Sequence, residues 1–123
     1  MNDSKEPPVT YDGEVLSVLA YEFPFSKKKE IEDRIKNRLK EKKLGTYDAN
    51  RTEVLRRLKN DLQLEVSKST KSTYYKRSHG EFCDIRDFDV SKLTDDMSKQ
   101  HPSISREIIE NFVSYSVYVY YLR

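Results

Sequence analysis

His79, Glu81 and Cys83 alternate along the chain, so in an extended segment they would share one face and offer nitrogen, oxygen and sulfur to a metal. Three such residues fall short of the four ligands that structural zinc takes, and the other histidine, His101, is distant in sequence. Cys83 as a nucleophile would need a base held beside it, and no pattern fixes His79 there. Between Phe82 and Ile85 it reads more simply as a small buried residue. Asp84, Asp87 and Asp89 are a second cluster, able in principle to hold magnesium, but without the lysine and further carboxylate of a nuclease site. Loop solubility and capping of a following helix are the plainer roles. The glycines, Gly13, Gly45 and Gly80, stand too far apart for a phosphate-binding loop. No catalytic centre, metal site or cofactor is expected, and the chain reads as a non-enzyme.

The stronger chemistry is basic. Lys27, Lys28 and Lys29 fall in the first turn of an expected helix, where cations oppose the helix dipole. The same placement gathers ammonium groups and free backbone N–H groups around one point, which suits a phosphate. Glu30, Glu32 and Asp33 offset the cost if the lysines merely face water. Further on, Arg56, Arg57, Asn60 and Gln63, with Lys59 at their margin, occupy the side of a helix opposite a leucine stripe. Such side chains hold backbone phosphates or read base edges, with Arg56 and Asn60 best placed for bases. Lys68, Lys71, Lys76 and Arg77 follow in a Ser/Thr-rich stretch that could form a wing, and Tyr74 and Tyr75 could stack on single-stranded bases.

These side chains need elements to carry them. Residues 14–23 suit either a short helix capped by Asp12 or a strand, and helix is favoured. Ser26 can cap a helix running to about Lys43, stopped by Gly45, with Ile31, Ile35 and Leu39 inward and the pairs Glu30–Arg34 and Glu32–Lys36 on its surface. After a short link, Asn50 and Glu53 resemble a capping box opening a helix with Val54, Leu55, Leu58, Leu62 and Val66 toward the core. So short a link should pack the two helices on each other, a helix-turn-helix-like pair. A small hairpin, residues 72–76 with 81–85, would serve as the wing. A short helix within residues 87–100 should point Val90, Leu93 and Met97 inward and end before Pro102. The tract FVSYSVYVYYL favours strand by propensity, but Ile104, Ile108, Phe112, Tyr115, Val119 and Leu122 line one helical face, so a helix over 105–121 is expected.

The expected fold is a compact, mainly α domain, with α+β character if the hairpin forms: a loose arm over residues 1–12, then one helical domain over 13–123. A chain of 123 residues supports one core. Equal hydrophobic and charged fractions, 36% each, make that core thin, and nine tyrosines and five phenylalanines supply much of its volume. The lone Cys83 rules out an intrachain disulfide and suits the cytoplasm or nucleus. Residues 1–8 lack the basic start and apolar run of a signal peptide, and no apolar stretch reaches bilayer length.

The net charge of +2 hides segregation: residues 1–25 carry −4, residues 26–77 carry +9 and residues 78–123 carry −3. A basic block between acidic flanks leads to the principal expectation, binding of DNA or RNA by phosphate contacts from Lys27, Lys28, Arg56, Arg57, Lys59, Lys71, Lys76 and Arg77. The alternative is a protein-interaction or assembly domain using the tyrosine-rich C-terminal helix, with Tyr118, Tyr120 or Tyr121 able to seed a homodimer.

Overall fold

The computed structural model describes residues 9–76 and 85–122. Five α-helices make the domain: α1 Tyr11–Leu19, α2 Lys28–Glu41, α3 Ala49–Ser67, α4 Val90–Gln100 and α5 Arg106–Val117. A single-turn 3-10 segment, Ser69–Lys71, follows α3, and α5 continues into a π-helical turn, Tyr118–Leu122.

α1 resolves the ambiguity of residues 14–23 in favour of helix as far as Leu19, beyond which the chain turns out of the helix. Its cap is Thr10, whose hydroxyl accepts from the Gly13 N–H at 3.0 Å, and not Asp12. A Cβ on Gly13 would lie 2.8 Å from that hydroxyl, so glycine leaves room for the cap. Tyr11 and Asp12 therefore belong to the first turn of α1. Val15, Leu16, Val18 and Leu19 are all buried, because α1 lies against α2, α3 and α5 together.

α2 buries its expected stripe, Ile31, Ile35 and Leu39. Of its two expected surface pairs, Glu32–Lys36 forms at 2.9 Å. Ser26 does not cap it; its hydroxyl accepts from the Phe23 N–H at 3.0 Å, and Lys27 takes the cap position with no side-chain bond. The helix also stops before Gly45. Lys43 adopts φ +56, the Leu44 N–H donates to Leu39 O at 3.0 Å, and the Lys43 N–H donates to Lys40 O at 3.2 Å. This is a Schellman closure with lysine where glycine is usual.

Asp48 caps α3, accepting from the Arg51 N–H at 3.0 Å, two residues before the expected Asn50. Leu55, Leu58, Leu62 and Val66 are buried and Val54 is partly so, joined by Thr52 and, unexpectedly, Lys59. In place of a closely packed helix-turn-helix-like pair, α2 packs chiefly on α1, and α3 on α1, α5 and the C-terminal turn. The Tyr11 hydroxyl clamps their link, donating to Thr46 O at 3.1 Å and accepting from the Asp48 N–H at 2.8 Å.

No strand is present among the described residues. The first arm of the expected hairpin, residues 72–76, follows the 3-10 turn and forms one isolated bridge, Tyr75 with Phe88. Residues 81–84, most of the second arm, lie outside the described residues. Asp89 caps α4, which buries Leu93, Thr94 and Met97 and packs on α5. α5 starts from a Ser105 cap as its sequence suggests, but its buried face is Ile109, Phe112, Val113, Ser116 and Val117. Ile108 and Tyr115 sit at the margin of that face.

Candidate functional site

The charge segregation of the sequence closes on itself in three dimensions. Asp12 of α1 receives Arg51 Nε at 3.1 Å and Nη2 at 2.5 Å. Glu14 pairs with Arg38 at 3.1 Å. Glu22, just after α1, receives Arg56 Nε at 2.7 Å on Oε1 and Nη2 at 3.0 Å on Oε2. The acidic N-terminal segment thus ties α1 to the basic block at three points, one on α2 and two on α3.

Glu22 is the centre of the tightest of these. Arg56 also bonds Glu53 one turn back, and the Lys59 ammonium donates to Glu22 O at 2.8 Å with Glu22 Oε1 at 3.7 Å. The hydrogen bond to Glu22 raises the Arg56 pKa above the usual arginine value. Burial depresses the Lys59 pKa below the usual lysine value, with the Glu22 charge opposing the shift. Only 3% of the Lys59 side chain and 14% of the Arg56 side chain are exposed. Neither residue therefore stands as the exposed cation expected on a phosphate-binding face. Arg56 is the clearest departure, since it points at the turn after α1 and not at solvent.

The other expected contacts are scattered. Lys28 and Asn60 are exposed and share a cleft of about 330 Å³ with Glu22, Arg56 and Lys59. Lys27, Arg57, Lys71 and Lys76 are exposed and line no part of it. Arg77 lies outside the described residues, as do His79, Glu81, Cys83 and Asp84. Tyr74 and Tyr75 are half-buried. The Tyr74 hydroxyl donates to Asp96 at 2.6 Å, and Tyr75 meets Phe88 and Tyr121 edge-on at 5.9 and 6.4 Å. They bind the 72–76 segment to α4 and the C-terminal turn. Asp87 is buried and accepts from the Tyr121 hydroxyl at 2.5 Å, and Asp89 is a helix cap. Among the described residues no group of three His, Cys, Asp or Glu is arranged for a metal ion, and no helix is long and apolar enough to cross a membrane.

Tyrosines make the other notable surface. Tyr115 lies edge-on to Tyr21 at 6.4 Å, donates its hydroxyl to that of Tyr21 at 2.9 Å, and stacks on Tyr118 at 6.4 Å. Tyr118 is 52% exposed and Tyr21 36%. The π-helical turn turns Tyr120 and Tyr121 inward, where Tyr120 donates to Ala20 O at 2.6 Å. Tyr21 and Tyr115 then wall a groove of about 370 Å³ whose rim carries Arg34, Arg38 and Glu41. Sequence reasoning marked Tyr118 but missed Tyr21 and Glu22, because both partners lie more than thirty residues away. A signal for Lys59 was present: Leu55, Lys59, Leu62 and Val66 follow one helical stripe. No family model, curated protein or solved structure matches this chain.

Proposed function

We propose that this domain is a protein-interaction module whose contact surface is the ledge formed by Tyr21, Tyr115 and Tyr118. The observation that carries this reading is a row of three tyrosines, Tyr115 packed against both Tyr21 and Tyr118 and the outer two exposed, beside a groove rimmed by Arg34. Tyrosine and arginine concentrate in the energetic centres of interfaces, since each offers a large contact area with polar groups at its tip. Rings already stacked and hydrogen-bonded lose little further freedom on binding. Against nucleic-acid binding stands the internal use of the basic block: Arg38, Arg51, Arg56 and Lys59 answer the acidic segment of α1 and its following turn.

The test pairs two measurements. The domain is titrated with duplex and single-stranded oligonucleotides at low and physiological salt, and it is separately used with Tyr118→Ala and Tyr21→Ala variants in quantitative cross-linking to its cellular neighbours. The reading expects no oligonucleotide binding and loss of specific cross-links in both variants. Binding at low salt with a steep log–log salt slope, weakened by charge removal at Lys27 and Lys28, would return the domain to nucleic acid.

A further inference from the structure

Phe25 is 84% exposed, yet its position is fixed. The turn of residues 23–26 is closed twice: the Ser26 N–H donates to Phe23 O at 2.9 Å, and the Phe23 N–H donates to the Ser26 hydroxyl at 3.0 Å. Pro24 sits at the second position of this turn, where its fixed φ is favoured, and Phe23 stacks on Phe25 at 5.6 Å with rings 12° apart. The result is a rigid aromatic knuckle in water, followed directly by the exposed lysines Lys27, Lys28 and Lys29.

On α1 and α5 the protein carries the complementary shape. A trough of about 340 Å³ is lined mostly by Val9, Gly13, Leu16, Ile108, Phe112 and Tyr115. Beyond Thr10 and Ile108, which line both, it adjoins a cleft of about 580 Å³ holding Asp12, Asp48, Glu107 and Arg51. Arg51 is already paired with Asp12, so Asp48 and Glu107 leave this end negative. Apolar trough and acidic end match the order of the knuckle, aromatic ring then lysines. Phe25 does not fill the trough of its own molecule, because it stands open to solvent.

We propose that the trough binds the knuckle of a second copy of this chain, with Phe25 seated between α1 and α5 and its lysines facing Asp48 and Glu107. The inference deepens the interaction reading by naming one partner; its trough shares Tyr115 with the tyrosine ledge but includes neither Tyr21 nor Tyr118. Knuckle and trough are different patches, so the contact is head-to-tail: each copy offers one of each, and assembly continues unless the rotation closes a ring. A contact of one ring and a few screened charges is weak, so association rises with concentration and falls with salt.

Sedimentation equilibrium on the pure protein, from low micromolar to millimolar concentration, tests it. The expected result is a weight-average mass climbing above the 14.6 kDa of one chain. Phe25→Ser, which breaks only the knuckle, and Asn111→Arg, which obstructs only the trough at an exposed wall residue, should each stay monomeric. Circular dichroism checks that both remain folded. Mixed one to one, they should give a two-chain species and nothing longer, because a single intact knuckle and a single intact trough remain. Tyr118→Ala should associate like the parent. A parent that stays monomeric throughout, or association that survives Phe25→Ser and vanishes with Tyr118→Ala, overturns the proposal; the first leaves partner binding at the tyrosine ledge untouched, and the second would place self-association on that ledge.

Discussion

Arg56 holds Glu22 by both carboxylate oxygens, Nε to Oε1 at 2.7 Å and Nη2 to Oε2 at 3.0 Å, across thirty-four positions of sequence. Two parallel bonds between planar groups fix orientation as well as distance. They anchor the turn after α1 to the middle of α3, with Lys59 closing the same carboxyl from one turn further on. Removing the acid while keeping its shape leaves two cations poorly solvated. Glu22→Gln should therefore cost about 2–4 kcal/mol, below or near the range for breaking a fully buried pair. Lys59→Met should be near neutral, since it removes a desolvated charge and leaves Arg56 its partner. Urea unfolding of both variants gives the comparison, and equal losses would mean that Glu22 does not organise the cluster.

Leu58 is fully buried at the centre of α3. Leu58→Ala should destabilise by roughly 2–4 kcal/mol through lost transfer energy and the cavity left behind. A thermal melt within a degree of the parent would contradict this packing.

Lys43 closes α2 from the left-handed region, at φ +56, and is exposed. Glycine suffers no Cβ clash there. Lys43→Gly should raise stability by about 0.5–1 kcal/mol, whereas Lys42→Gly, at an αR position next to it, should lower it. Chemical denaturation midpoints read both.

Alkaline pH should unfold the domain through its tyrosines. Burial raises the Tyr120 phenol, and the hydrogen bond to Asp96 with burial holds Tyr74 up at about 12, against 10.0 for a free phenol. Each contributes stability that is whole below about pH 10 and lost as pH climbs through its folded value. Lys59 acts in the other sense: its folded pKa is depressed by burial, so stability rises between that value and its ordinary 10.5. The melting midpoint should drift slightly upward toward pH 10 and fall beyond it. Tyr120→Phe and Tyr74→Phe should flatten the falling limb, and an unchanged limb in both would count against these bonds.

Helices were legible where periodicity and local caps agree. α2 and α4 show their stripes plainly, because Ile31, Ile35 and Leu39, or Leu93 and Met97, sit among charges. α5 was legible as a helix although its residues prefer strands, since packing overrides propensity. Its face was misplaced by about one residue: Ile109 and Val113 are buried where Ile108 and Tyr115 were expected. Arg106, Glu107, Glu110 and Asn111 mark only the far side of α5, so neighbouring α4 and α3 decide which edge of its broad apolar side is covered. Caps at Thr10 and Asp48 were missed because Asp12 and Asn50 are equally good cap residues by type. Least legible was the fate of the charges. The segregation that suggested a nucleic-acid surface is also what an internal set of ion pairs looks like along the chain, and the pairing of Glu14, Asp12 and Glu22 with Arg38, Arg51 and Arg56 needs the folded positions to be seen.

The Tyr120 hydroxyl reaches Ala20 across a hundred residues, and Tyr115 reaches Tyr21 across ninety-four. These contacts give the order of synthesis a role. As the chain leaves the ribosome, α1 meets α2 and then α3, but its remaining flank waits uncovered until α5 is made. Through that interval Leu16 and its neighbours have nothing from the C-terminal half to pack on, and closing so long a loop is slow compared with forming the helices themselves. The flank of α1, like the face of α3 that α5 and its C-terminal turn cover, thus stays open to a chaperone, or to a neighbouring copy on the same message, until α5 is made.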